Sequence, residues 1–268
     1  MRGRAVLLWI IAFLITAGSA VYQRLTGPTY PLRGEVEVNG TAVTFRLPRS
    51  ENVGTDALIA LDVPDPTITG TLRYRRYRSH DEWTDAPMTR SGDRLSAELP
   101  KQPAAGKIMY RVLLEGPRER VSLSGEEPVV LRYKGAVPIY VLIPHVLFIF
   151  LAMLLANRTG LEAAAGGPAL KPLLHWTVAL LFLGGMILGP VVQKFAFDAF
   201  WTGVPFGHDL TDNKTLIAML AWIWAWFRNR GARRSRGWIL VAAVVTLAVY
   251  LIPHSVLGSE LDYTQEAG

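Results

Sequence analysis

The chain contains no cysteine among its 268 residues. Disulfides, thiolate metal sites, iron–sulfur clusters, c-type haem attachment and cysteine nucleophiles are thereby excluded. Charge is also scarce. Only 19% of residues are Asp, Glu, Lys or Arg, where a soluble globular protein carries nearer a quarter. Catalytic signatures are missing as well: there is no phosphate-cradling glycine loop, no His-Glu-x-x-His and no Gly-x-Ser-x-Gly. No catalytic residue and no metal ligand is therefore nominated, and the chain is not expected to be an enzyme.

What is present is apolar and clumped. Half of the residues are hydrophobic and the mean hydropathy is +0.24, yet the excess falls in a few runs, while Gly27 to Gly135 reads as ordinary soluble sequence. The first run, Ala5 to Val21, follows Arg2 and Arg4 and is expected to be a membrane anchor. The small residues Gly18, Ser19 and Ala20 also fit a cleavable signal peptide, with a mature chain starting near Val21. Further runs cover Val137–Ala156, Leu173–Val192, Asn213–Phe227 and Trp238–Ile252, the last two short for a full crossing. The expected fold is an integral membrane α-helical bundle of about five spans with an inserted extracytoplasmic all-β sandwich domain. Its segments are an anchor over 1–26, the β-domain over 27–135, four helices over 136–258 and an external tail over 259–268.

The formal charge of +6 serves orientation rather than nucleic-acid binding. With the N-terminus inside, cytoplasmic segments hold Arg2, Arg4, Arg158, Lys171 and five arginines between 228 and 236, whereas the short outer loop holds Lys194 and Lys214. That bias places the N-terminus in the cytoplasm and the β-domain and C-terminus in the periplasm of a bacterial inner membrane.

Within the soluble segment, Glu35–Val38 and Thr41–Phe45 flank Asn39-Gly40, a strong hairpin signal. Short alternating strands follow at 57–63, 69–75, 94–99, 108–114, 120–123 and 129–133, a pattern suited to a two-sheet sandwich. Leu72-Arg-Tyr74, Trp83, Met88, Ala97-Glu-Leu-Pro100 and Tyr110-Arg-Val112 give this stretch a pattern that resembles fibronectin type III and immunoglobulin-like modules. The resemblance implies a β-sandwich and a binding or spacing role, with no catalytic residues to carry over. Arg73, Arg75, Arg76 and Arg78, beside Tyr74 and Tyr77, form a basic stripe. It reads as a solvated strand face or as a docking surface for an acidic partner or anionic headgroups.

Two paired segments, Tyr140-Val-Leu-Ile-Pro-His145 and Tyr250-Leu-Ile-Pro-His254, lie at the outer ends of their helices. His145 and His254 are expected to cap proline-disturbed helix ends; the alternative is ligation of a b-type haem or contact with a quinone headgroup. His208 lies in the outer loop, within reach of that level. The same loop, from Gln193 to Thr215, carries Phe195, Phe197, Phe200 and Trp201, which suit a segment lying flat in the interface. Asp212 is expected to pair with Lys214 or a histidine, with Thr211 or Asp212 as the cap of the next helix. Gly185 and Gly189 have small-xxx-small spacing, and Trp222 and Trp226 share a helix face, so both pairs are candidate partner contacts.

The helix centres are almost wholly apolar, which argues against transport. The reading is a non-enzymatic accessory or scaffold subunit of a larger membrane complex, photosynthetic or respiratory assemblies being candidate settings. Its expected partners are other membrane subunits and the lipid bilayer, with no nucleic acid, no small-molecule substrate and no cofactor. The alternative is a haem- or quinone-binding electron-transfer subunit.

Overall fold

The computed structural model describes residues 2–232, 234–253 and 258–265. The chain divides into two compact units: Met1–Pro28 with Val137–Ser259, and Thr29–Ala136 with the chain from Glu260.

The first unit holds α1 (Arg2–Thr26), α2 (Ile139–Ala164), α3 (Leu170–Phe197), α4 (Leu210–Arg228) and α5 (Arg236–Leu251). By length and composition α1, α2 and α3 can cross a membrane. Among the described residues the five expected spans reduce to three by that measure. The α4 helix carries Asp212, Lys214 and Arg228 within its 19 residues, and α5 has 16, a rise of about 24 Å.

The α2 helix is central, packing against α1, α3 and α5. Close approach is set by small side chains: Ala152, Ala156, Ala218, Ala225 and Ala242 are all buried where the helices meet. Polar pairs cross the same interfaces. Asn157 Nδ2 donates to Thr16 Oγ1 at 3.0 Å, and the hydroxyls of Thr159 and Thr177 lie 3.0 Å apart. The buried Arg158–Glu162 ion pair at 2.8 Å is supported by the Ala169 amide, which donates to Glu162 at 3.0 Å, so the carboxylate is not left to a single partner.

Within α3 the segment Phe182–Leu188 is a π-helix. The wider turn alters which residues share a face, and here the expected Gly185–Gly189 packing pair is corrected. A Cβ on Gly184 would meet the α2 backbone at Ile149 N, 3.0 Å away, and one on Gly185 would meet the Thr215 methyl at 2.7 Å. At Gly189 the nearest atoms are at ordinary contact distance. The close-packed pair is therefore Gly184–Gly185, and both contacts lie inside the unit.

The second unit runs β1 (Leu32–Val38), β2 (Thr41–Leu47), β3 (Ser50–Asn52), β4 (Ala57–Asp62), β5 (Thr69–Arg76), β6 (Thr84–Pro87), β7 (Thr89–Ser91), β8 (Arg94–Leu99), β9 (Lys107–Glu115), β10 (Arg120–Ser122) and β11 (Val129–Lys134). The β1–β2 hairpin turns at Asn39 (φ 56°) and Gly40 (φ 81°), as that dipeptide requires. That hairpin is a two-stranded sheet by itself; of the two larger sheets, one has the order β4-β8-β7. The other is β3-β11-β9-β5-β6 with β10 also on β9, and only its β3–β11 pair is parallel. Along β9, fully buried Ile108, Tyr110, Val112 and Leu114 alternate with Lys107, Met109, Arg111 and Leu113. The buried set shares one core with Ile59 and Leu61 of β4 and Leu95 and Leu99 of β8, so the two sheets pack through a common apolar layer. Buried tyrosine hydroxyls are satisfied: Tyr110 donates to Pro48 O at 2.8 Å and Tyr133 to Pro100 O at 3.1 Å. Of the tail expected over 259–268, the described residues 260–265 group with this unit.

Candidate functional site

Two places gather the polar side chains singled out by sequence. In the helical unit, the loop between α3 and α4 folds around two carboxylates, each 7% exposed. Asp209, rather than Thr211 or Asp212, is the N-cap of α4. Its Oδ1 accepts from the amides of Thr211 at 2.7 Å and Asp212 at 3.4 Å, and its Oδ2 accepts from the Ser259 amide and hydroxyl at 2.8 and 3.0 Å. Asp212 Oδ2 accepts from the amides of Thr202 at 2.7 Å and Gly203 at 3.0 Å. Gln193 Nε2 donates to Thr202 Oγ1 at 2.6 Å. Lys214, buried, donates to the Ile252 carbonyl at 2.8 Å, near the end of α5, where backbone acceptors run out.

Beside this network lies a cavity of about 170 Å³, lined by His145, Phe197, Asp212, Lys214 and Tyr250 among others. His145 Nδ1 is 2.9 Å from the Gly184 carbonyl, at a point where the π-helix disturbs the regular bonding ladder. The expected cap was on its own proline-disturbed helix; the contact instead goes to a carbonyl of a neighbouring helix. His254 lies outside the described residues. His208 is exposed. Phe197 and Trp201 are half-buried, while Phe195, Phe200 and Phe206 are exposed on the same loop, a distribution that suits an interfacial segment.

The tryptophan pair separates. Trp222 is fully buried and its Nε1 donates to Thr246 Oγ1 at 2.7 Å. Its contacts are with its own bundle, which corrects its expected place on a partner face. The i, i+4 spacing puts Trp226 on the same stripe, but Trp226 is only half-buried, lying against His175 and under the Arg230 guanidinium at 4.5 Å.

The second place is the outer face of the six-stranded sheet. Register sets Arg73 opposite Arg111, Arg75 opposite Met109, and Arg132 opposite Lys107. Three guanidiniums surround the indole of Trp83: Arg75 at 4.8 Å, Arg73 at 5.8 Å and Arg111 at 5.9 Å. Each is held by one contact to its own sheet or loops. Arg73 meets Asp85 at 3.4 Å, Arg75 Nε points at Met109 Sδ at 3.1 Å, and Arg111 donates to the Glu126 carbonyl.

At one end of this face the chain's own tail is docked. Glu260 bridges Arg78, at 2.7 Å, and Lys107. Tyr263 is buried beneath the Arg76 guanidinium at 4.5 Å and donates its hydroxyl to Gln102 at 2.9 Å. Burial, with Arg132 nearby, pushes the Lys107 ammonium below the ordinary lysine range, and Glu260 opposes that shift. Asp81 forms a two-pronged bond with Arg76 at 2.7 and 2.9 Å, and this bond is the main cause holding its carboxyl below the usual carboxylate value.

Sequence reading found the arginine stripe but missed Arg111 and the tail. The second arginine row becomes visible only through strand register, and a Glu-Leu-Asp-Tyr run carries no address for a site over a hundred residues earlier. Among the described residues no group of three or more His, Asp or Glu side chains is placed to hold a metal. A scan against protein-family models finds no match, and no curated protein matches the chain.

Proposed function

We propose that the chain is a non-enzymatic accessory or scaffold subunit of a larger membrane protein complex, held in the bilayer by its helices and bracing partners with its β-domain. The observation that carries this reading is the arginine–tryptophan face: a charged surface held by its own contacts and suited to protein contact. The carboxylates that could have served chemistry support it too, because Asp209 and Asp212 bind backbone amides and tie the α3–α4 loop to Ser259.

The proposed setting is a bacterial inner membrane, crossed five times, with the N-terminus cytoplasmic and the β-domain and C-terminus periplasmic. The basic-residue bias supports that orientation. The shorter α4 and α5 complete the alternating path with help from their neighbours and from local thinning. The cavity beside His145 favours a second reading, in which a quinone headgroup sits there.

The test is capture of the tagged full chain from native membranes by crosslinking and mild detergent, followed by native electrophoresis and an absorption spectrum. A stable larger species containing other membrane subunits is expected, with a reporter fused after Gly268 reading as external. A lone monomer under both conditions defeats the scaffold reading, and a stoichiometric quinone or Soret band replaces it with electron transfer.

A further inference from the structure

We propose that the outer face of the six-stranded sheet is a docking track for an acidic, aromatic-bearing peptide segment of a partner subunit. This rests on the scaffold reading and names the chemistry of the partner that reading requires. The chain's own Glu260-Leu-Asp-Tyr263 displays the binding mode. One carboxylate sits between two cations, one aromatic ring lies under a guanidinium, and one main-chain bond joins Leu261 N to Ala105 O at 3.3 Å.

The same chemistry recurs further along the same strands. Lys107, which holds Glu260, and Arg111 both project outward from β9, four residues apart, or about 13 Å. Arg73 and Arg75 stand beside Arg111 on the neighbouring strand, with Trp83 at the centre. Beyond the end occupied by Glu260, an extended segment reaches Arg73, Arg75 and Arg111 with its carboxylates, and Trp83 offers its aromatic residue a ring surface, as Arg76 and Gln102 receive Tyr263 at the tail. Each guanidinium carries five N–H donors, and Arg73 keeps 43% of its side chain exposed. The contacts that pin each arginine, to Trp83 and to its own sheet or loops, limit the rotamer freedom lost on binding. A lipid headgroup satisfies the charge and leaves the aromatic element without a counterpart, which favours a peptide.

The experiment uses the full chain in nanodiscs of zwitterionic lipid. The probe is a labelled peptide containing two copies of Glu-Leu-Asp-Tyr, followed by fluorescence anisotropy. Saturable binding is expected, weakening with added salt and by at least about tenfold in the double variant R73Q/R75Q. The control R94Q, an exposed arginine on β8 of the other sheet, should bind as wild type. Equal binding by R73Q/R75Q overturns the inference, as does absence of peptide binding by the wild type. Arginine-dependent binding to phosphatidylglycerol vesicles in place of the peptide overturns it in favour of a membrane contact. Any of these results with the native complex still intact leaves the scaffold reading standing, whereas a lone monomer removes that reading whatever the peptide does.

Discussion

Replacing Trp222 tests whether the α4–α5 contact is core or interface. The side chain is fully buried, and its indole N–H is bonded to Thr246, itself 2% exposed, at 2.7 Å. Thr246 in turn donates to the Ala242 carbonyl at 2.8 Å, so the two partners are unequal. Trp222→Phe removes a donor and some volume but leaves the threonine hydroxyl bonded. Thr246→Val keeps shape and leaves the indole N–H without its acceptor, at a cost of about 1–2 kcal/mol. Trp222→Ala opens a large void and should cost roughly 3–5 kcal/mol. For a chain of this size that corresponds to a fall of roughly 6–20 °C in midpoint. In the double variant Trp222→Phe/Thr246→Val the second change should add little, giving a coupling of roughly 0.6–1.7 kcal/mol, the range for hydrogen bonds between membrane helices. The assay is the fraction remaining monodisperse after heating in detergent, at one fixed heating time because such unfolding is irreversible. A Trp222→Ala protein that melts like wild type while losing its partners would refute the core assignment and return this residue to the surface.

Gly184→Ala should destabilise the bundle by about 1–3 kcal/mol by the same heating assay, because the new methyl meets α2 backbone that cannot yield; Gly189→Ala should be nearly silent. Acidification should loosen the tail. Asp81 has a folded value below its ordinary one, so its contribution is present above pH 3.8 and is lost as pH falls through the lower folded value. Exchange at the Leu261 amide, followed by mass spectrometry, should rise in that window, and Asp81→Asn should raise it at neutral pH; unchanged exchange in the variant defeats the link between Arg76 and Tyr263.

The parts of the fold that sequence exposes are those with a repeating signal. The Asn39-Gly40 turn and the alternation along β9 were legible because each position's chemistry matches a local geometric demand. The three-residue strands β3 and β7 were not, since pairing with β11 and β8 defines them and their own sequences do not. The glycine pair was read with Gly189 in place of Gly184 for a related reason. Small-xxx-small spacing assumes 3.6 residues per turn, and the π segment at Phe182–Leu188 breaks that assumption without a visible marker. At the α3–α4 loop Asp212 was recognisable as a group in need of a partner, but the partners are backbone amides rather than Lys214 or a histidine, and every residue except proline has one. The failure at Trp222 came from reading a stripe without its depth: spacing says which residues share a face, and only packing says what that face meets.

The docked tail also orders events in time. Lys107 and Glu260 are 153 residues apart, and Tyr263 and Gln102 are 161 apart. During synthesis the strands emerge first and must fold with the Glu260 and Tyr263 positions empty, because their occupant follows the last helix. Closing so long a loop carries an entropic cost that grows only slowly with its length, and the tail can dock only once the intervening helices have been made. The Glu260–Tyr263 segment thus works as a latch that engages after the strands it closes on have been made. A chain that stops before Glu260 leaves Arg78 and Lys107 without the carboxylate that joins them.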